Sequence, residues 1–149
     1  MPPRARTRLA RATPVGAIMN RPLITIQLGE KAGLADQLMK HYAVHHLPVL
    51  EGKVLRGILS QRDLYKNMLS YFFIESDREQ QDFLDEFLDI ASMMTEDPVT
   101  VELEQTVGEA LDLMLKHRIG SLPVVNRQNE LVGIVTDFDL LRALAEWLE

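Results

Sequence analysis

Short apolar runs bounded by turn residues alternate along this chain with stretches whose apolar positions recur every three or four residues, and the alternation happens twice. In the first pass, residues 22–26 (PLITI) predict a short strand. Residues 30–44 predict a helix carrying Leu34, Leu38 and Tyr42 on one stripe. Leu47 to Leu50 reads as a buried strand, Glu51, Gly52 and Lys53 turn the chain, and Val54 to Leu59 reads as the returning strand. Ser60 then opens a second helix. In the second pass, Thr106 and Glu109 are spaced as a capping box ahead of a helix bearing Val107, Ala110, Leu111 and Met114. Leu122 to Val125 is the buried strand, residues 126–130 a polar turn, and Leu131 to Val135 its partner. A last helix runs from Thr136 toward Trp147.

The two passes are copies. HHLPVLEGKVLRGILSQRDL (45–64) returns, with one insertion, as GSLPVVNRQNELVGIVTDFDL (120–140). Upstream, Met19, Thr25, Leu28, Gly33, Ala35, Leu38 and Met39 recur as Met94, Thr100, Leu103, Gly108, Ala110, Leu113 and Met114. A unit of about 50 residues buries only about 60% of its unfolded surface and is marginal alone. The repeat therefore predicts one pseudo-symmetric module in which two units pack on each other. Its parts are a basic arm at 1–14, expected to be disordered, repeat 1 at 15–66, a helical acidic linker at 67–89, and repeat 2 with the C-terminal helix at 90–149.

Composition narrows the chemistry. Without cysteine there is no disulfide scaffold and no thiolate ligand or nucleophile. No run of about 18 apolar residues is present, nor an apolar stretch behind the first arginines, so the expectation is a soluble, cytoplasmic protein with no membrane partner. The net charge of −6 is unevenly placed. Arg4, Arg6, Arg8, Arg11 and Arg21 crowd the N-terminus, whereas Glu75, Asp77, Glu79, Asp82, Asp85, Glu86 and Asp89 crowd the linker. A short basic terminus on an acidic chain is not a nucleic-acid footprint, and no nucleic-acid partner is expected. Met68, Leu69, Phe72, Phe73, Phe83, Leu84, Phe87 and Leu88 make the linker amphipathic. It serves to cap the core or to meet a partner.

The local pattern that carries chemistry is Gly, two apolar residues, Ser or Thr, two residues and Asp: GILSQRD (57–63) and GIVTDFD (133–139). A strand ends, a hydroxyl residue starts a helix, and a carboxylate sits one turn in. As structure alone this is an N-cap with an acid on the helix dipole. Capping explains less well why both copies place small Gly57 and Gly133 just upstream. As a site, a short carboxylate at a helix start can accept two ribose hydroxyls while free helix amides nearby favour phosphate.

With these turns, the LPV strands, and VGAIM (15–19) and IASMM (90–94) ahead of each copy, residues 15–142 resemble a tandem pair of cystathionine-β-synthase (CBS) domains, a Bateman module. The resemblance implies an α+β fold of two βαββα repeats packed through their sheets, and clefts between them for AMP, ADP, ATP or S-adenosylmethionine. It implies that Asp63 and Asp139 hold ribose hydroxyls and that Ser60 and Thr136 bond ribose or phosphate. His45 and His46 in one copy, and Gly120 and Ser121 in the other, would line the phosphate or base end. Backbone near Ile24 and Val99 would meet the adenine edge. Of these clefts we expect His45 or His46 to face Asp139.

The copies differ where selectivity would arise. Arg62 suits a phosphate and its counterpart Phe138 does not. Lys53 and Arg56 add cations to the first copy, Arg118 and Arg127 to the second. His41 and His45, four apart, have a spacing that can share a metal on a helix, but no third ligand is evident and no metal is expected. No serine has a local His and Asp partner and there is no phosphate-gripping Gly-Lys loop, so no enzyme is expected. The leading expectation is a stand-alone regulatory module. It requires no cofactor, binds an adenosyl ligand, forms a homodimer and modulates an unidentified protein. The competing one is a ligand-free dimerisation or interaction module.

Overall fold

Two antiparallel hairpins with the same register anchor the protein. The computed structural model describes residues 10–20, 24–67 and 76–148, with side chains 80, 81, 83, 84 and 87 not described. It divides into two units, residues 24–98 and residues 99–149 with the N-terminal segment to 23.

In the 24–98 unit, β2 (His46–Glu51) pairs antiparallel with β3 (Val54–Ser60). β1 (Ile26–Gln27) adds parallel to β2, and β4 (Thr95–Glu96) adds antiparallel to β3. Helices α1 (Ala32–Tyr42), α2 (Gln61–Lys66), α3 (Asp77–Phe87) and α4 (Ile90–Met93) complete it. The other unit repeats the plan, with β5 (Ser121–Val125) antiparallel to β6 (Leu131–Thr136). Its outer strands shrink to single bridges, Val101 parallel to Val124 and Asn20 antiparallel to Ile134. Helices α5 (Val107–His117) and α6 (Asp137–Trp147) flank it, and a 3-10 turn occupies Val15–Ala17. Both hairpins slip register at the same step, between Val49 and Leu50 and between Val124 and Val125. The result is a mixed α+β protein of two repeats, each with a sheet and helices.

The units are not the contiguous sequence repeats. Val15, fully buried, belongs to the core of Val101, Val107, Leu122, Val124 and Val135. Ile90, also fully buried, belongs to the core of Ile26, Met39, Leu47, Val49 and Leu59. Each segment that leads into one repeat therefore completes the core of the other, although residues 15–66 and 90–149 read as whole units in the sequence.

That exchange accounts for the two glycines of the repeated motif. A Cβ on Gly57 would lie 2.6 Å from Met94 Sδ and 2.7 Å from the Thr95 carbonyl, and one on Gly133 would overlap Met19 Sδ. At Gly57 the backbone of the lead segment itself passes too close to β3 for a side chain, and at Gly133 the Met19 side chain fills the space beside β6. Gly57 and Gly133 make room for Met94 and Met19, which explains the two small residues that capping alone does not.

Other expectations shift in detail. Of the strand expected at 22–26 only Ile26 is in β1, 24 and 25 are not in a strand, and 21–23 lie outside the described residues. The buried stripe of α1 is Ala32, Ala35 and Met39. Leu34 and Leu38 are partly buried and Tyr42 is exposed, because β2 lies against the small residues. Within the linker, α3 is helical, and Met68, Leu69, Phe72, Phe73 and the side chains of Phe83, Leu84 and Phe87 lie outside the described residues. Of the arm expected to be disordered, residues 10–14 are held: Val107 N–H donates to Thr13 O at 2.7 Å and Gly108 N–H to Arg11 O at 2.9 Å. Residues 1–9 lie outside the described residues.

Candidate functional site

A site can form only where side chains of different type converge, and in each unit that place is the end of the hairpin opposite its turn. Ladder pairing sets His46 against Ser60 and Ser121 against Thr136. A helix starts on the next residue, so a strand end, a hydroxyl and a helical first turn meet within a few ångströms.

Both first turns are complete capping boxes. Ser60 Oγ accepts Asp63 N–H at 2.9 Å while Asp63 Oδ2 accepts Ser60 N–H at 3.0 Å. Thr136 Oγ1 accepts Asp139 N–H at 3.2 Å while Asp139 Oδ2 accepts Thr136 N–H at 2.9 Å. The short Asp side chain reaches back as the longer Glu does in the usual box. The capping reading of the motif is therefore satisfied in full, with one oxygen of each carboxylate left over for other work.

The remaining oxygen is treated differently in the two units. Asp139 is 6% exposed, and its Oδ1 accepts the Asn20 side-chain amide at 2.7 Å and lies 3.7 Å from the Arg142 guanidinium. Asp63 is partly buried, and among the described residues no side-chain donor engages its carboxylate, the Asn67 amide going to its backbone carbonyl at 2.8 Å. The helix amides differ too. In α6, Asp137 N–H goes to Gly120 O, Phe138 N–H to Asp137 Oδ1 and Asp139 N–H to Thr136 Oγ1. In α2, Gln61 N–H goes to His45 O and Asp63 N–H to Ser60 Oγ, and no acceptor among the described residues takes Arg62 N–H.

The expected residues sort as follows. His45, His46, Ser60, Arg62 and Asp63 gather in the 24–98 unit. Gly120, Ser121, Thr136 and Asp139 gather in the other. His45 Nδ1 and Gln61 Oε1 are 2.9 Å apart, and Gln61 Nε2 donates to Tyr65 Oη at 3.0 Å. Ser121 is buried and Arg62 is exposed. Ile24 and Val99 precede the first pairing of each sheet and pack, half-buried, at the edge of each core.

Several cations fall elsewhere. Lys53 lies in the hairpin turn and Arg56 bonds Glu51 at 2.8 Å, and the Glu51–Val54 pair is five ladder steps from the His46–Ser60 pair, about 16 Å by strand rise. Arg127 lies in the corresponding turn, and Arg118 caps the C-terminal end of α5. The cation the sequence reading missed is Arg142, which stacks 5.0 Å above the Phe138 ring one turn into α6. Asn20 and Gln61 were missed as well. His41 and His45 do not share a helix, because Ala43 leaves α1 in the left-handed conformation between them. No cluster of three or more metal-type ligands occurs among the described residues.

A groove of about 570 Å³ runs between α5 and α6, walled by Leu111, Leu115, Arg118, Ile119, Leu141 and Leu144. Leu115 and Leu141 are 76% and 62% exposed. No helix among the described residues is long and apolar enough to cross a membrane.

Comparison with known proteins places this geometry. The family model of the CBS domain matches residues 15–70 and 89–146. A CBS domain-containing protein of Dictyostelium discoideum is 34% identical over 136 residues, covering 91% of this chain and 93% of that protein. Among solved structures, the CBS domain pair of protein MJ0100 in complex with 5'-methylthioadenosine and S-adenosyl-L-methionine superposes with a TM-score of 0.74 at 25% identity, covering 90% of this chain and 97% of that one. CBSX2 in complex with AMP gives 0.73 at 25% identity, covering 92% and 99%.

Proposed function

Since the chain belongs to the CBS domain family, we propose that it is a regulatory module whose ligand is an adenosine-containing molecule: AMP, ADP, ATP or S-adenosylmethionine. One observation carries the proposal. Both units end their hairpin in a hydroxyl-carboxylate turn, and the Asp63 carboxylate keeps an oxygen available to a ribose hydroxyl. A carboxylate that already accepts one backbone N–H is fixed in direction, so a diol docking on it loses little further freedom. The bound adenosyl ligands of two similar CBS pairs support the same ligand class.

In this reading Asp63 and Asp139 take ribose hydroxyls and Ser60 and Thr136 take ribose or phosphate oxygens. Arg62 takes phosphate, and the adenine edge lies near Ile24 or Val99. His45, His46, Gly120 and Ser121 border the ligand. Binding shifts the module between arrangements that a separate, cytoplasmic protein senses, which requires the ligand to prefer one of them. The bare apolar groove of α5 and α6 supports a homodimer.

A thermal-shift series with AMP, ADP, ATP and S-adenosylmethionine tests the proposal. A ligand at about 100 times its Kd stabilises by about 2.7 kcal/mol, and Asp63→Asn should remove most of that shift. If none of the four moves the midpoint, the ligand-free dimerisation module, which the two complete capping boxes and the groove favour, takes its place.

A further inference from the structure

Asn20 stands in the lead segment that completes the sheet of the 99–149 unit. Its backbone N–H donates to Ile134 O at 2.9 Å, and its side-chain amide donates to Asp139 Oδ1 at 2.7 Å. The matching position in the 24–98 unit is Thr95, which pairs with Ile58 as Asn20 pairs with Ile134. Thr95 is exposed and is not bonded to Asp63. The two ribose turns therefore differ through a residue that lies outside both repeated motifs.

We infer that Asn20 is a positioning residue that holds the Asp139 carboxylate closed, so that the Thr136–Asp139 turn takes a ribose only when the Asn20 bond is given up. The inference rests on the adenosyl-ligand reading above and deepens it by ranking the two turns. The chemistry is competitive. Asp139 already accepts Thr136 N–H and Asn20 Nδ2 and has Arg142 beside it, with 6% of its surface exposed, so a diol must displace a donor to reach Oδ1. The second observation points the same way. The first three amides of α6 are all occupied, Phe138 N–H by the Asp137 side chain, whereas Gln61, at the matching place, turns its side chain to His45 and Tyr65. The Ser60–Asp63 turn thus binds first and the Thr136–Asp139 turn second, and release of Asn20 links the lead segment to occupancy of the second turn.

Asn20→Thr, which installs the residue this chain itself carries at the equivalent step, tests the inference and keeps the backbone bond to Ile134. Calorimetric titration with AMP should show a tight and a weak step in the wild type. Asn20→Thr should tighten the weak step by about tenfold, the size expected for removing one competing hydrogen bond to a charge, without changing the tight one. The gain should vanish in Asn20→Thr combined with Asp139→Asn. Independently of any ligand, the Asn20 side-chain amide in a 1H–15N spectrum should exchange slowly and move to a solvated position in Asp139→Ala. If AMP binds nowhere while that amide signal is displaced, the ligand reading falls and the positioning of Asp139 by Asn20 stands. A solvated Asn20 amide in the wild type, or an Asn20→Thr protein that titrates as the wild type does, overturns the inference.

Discussion

Helices α1 and α5 begin at equivalent points of the two units and obtain their caps from different atoms. At α5, Thr106 caps Glu109 N–H with its own side chain, and the backbone of Thr13 and Arg11 takes the first two amides, of Val107 and Gly108. At α1 the N-cap is Lys31, which offers no side-chain oxygen, and the Asp85 carboxylate accepts Gly33 N–H at 3.1 Å. In both cases chain lying ahead of the other repeat supplies what the helix lacks, the backbone before residue 15 at α5 and a side chain of α3 at α1. What duplication has kept is the crossing of two backbones, and the side chains around it have diverged.

The helix faces diverge further. Asp36 and Lys40 of α1 form an ion pair at 2.8 Å, with Asp36 buried and α3 packed on the same helix. The matching residues of α5 are Leu111 and Leu115, which wall the open groove. One face has been finished within the chain and the other left apolar and bare.

The comparison breaks most sharply at the glycines. Gly57→Ala should cost about 3 kcal/mol, because its Cβ meets a backbone carbonyl as well as Met94, and Gly133→Ala about 1 kcal/mol, because Met19 can swing away. Denaturant unfolding of both variants measures the difference, and equal losses would mean that the two crossings are equally tight. Next in size are the caps. Asp85→Ala should lose about 1 kcal/mol with its side-chain acceptor. Arg11→Ala should lose less than about 0.5 kcal/mol, since its carbonyl does the capping and its ion pair with Asp112 is largely exposed. A small gain is common to both units: Ala43→Gly and Arg118→Gly should each raise stability by about 0.3 kcal/mol, because both residues hold φ near 50° where glycine is unstrained. A melting point that falls in either variant would show that the side chain contributes more than the strain costs.

The hairpins and the helix starts could be read from the sequence because their signals are local. A short apolar run bounded by turn residues marks the LPV strands, and a hydroxyl three residues before an acid marks a cap. The stripe of α1 misled because Leu34 and Leu38 are more apolar than Ala32 and Ala35, yet close packing against β2 selects the small residues. The reason for Gly57 and Gly133 and the bond from Asn20 to Asp139 depend on contacts between residues far apart in the chain. Propensity and spacing carry no information about such contacts, and only the repeated Met19 and Met94 hinted at them.

The exchanged lead segments also settle how the polypeptide can be cut. Residues 24–98 form one unbroken stretch, whereas the other unit is assembled from both sides of it. In topological terms the first unit is a guest inserted into a host. A peptide of residues 24–98 carries its whole sheet and core with it, while a fragment starting at 99 leaves behind Val15, Met19 and Asn20 and with them an edge of its sheet. The seam that respects folding runs inside each repeat's own sequence, nine residues past the start of each, and excision of the guest would leave residues 23 and 99 as the ends to be rejoined.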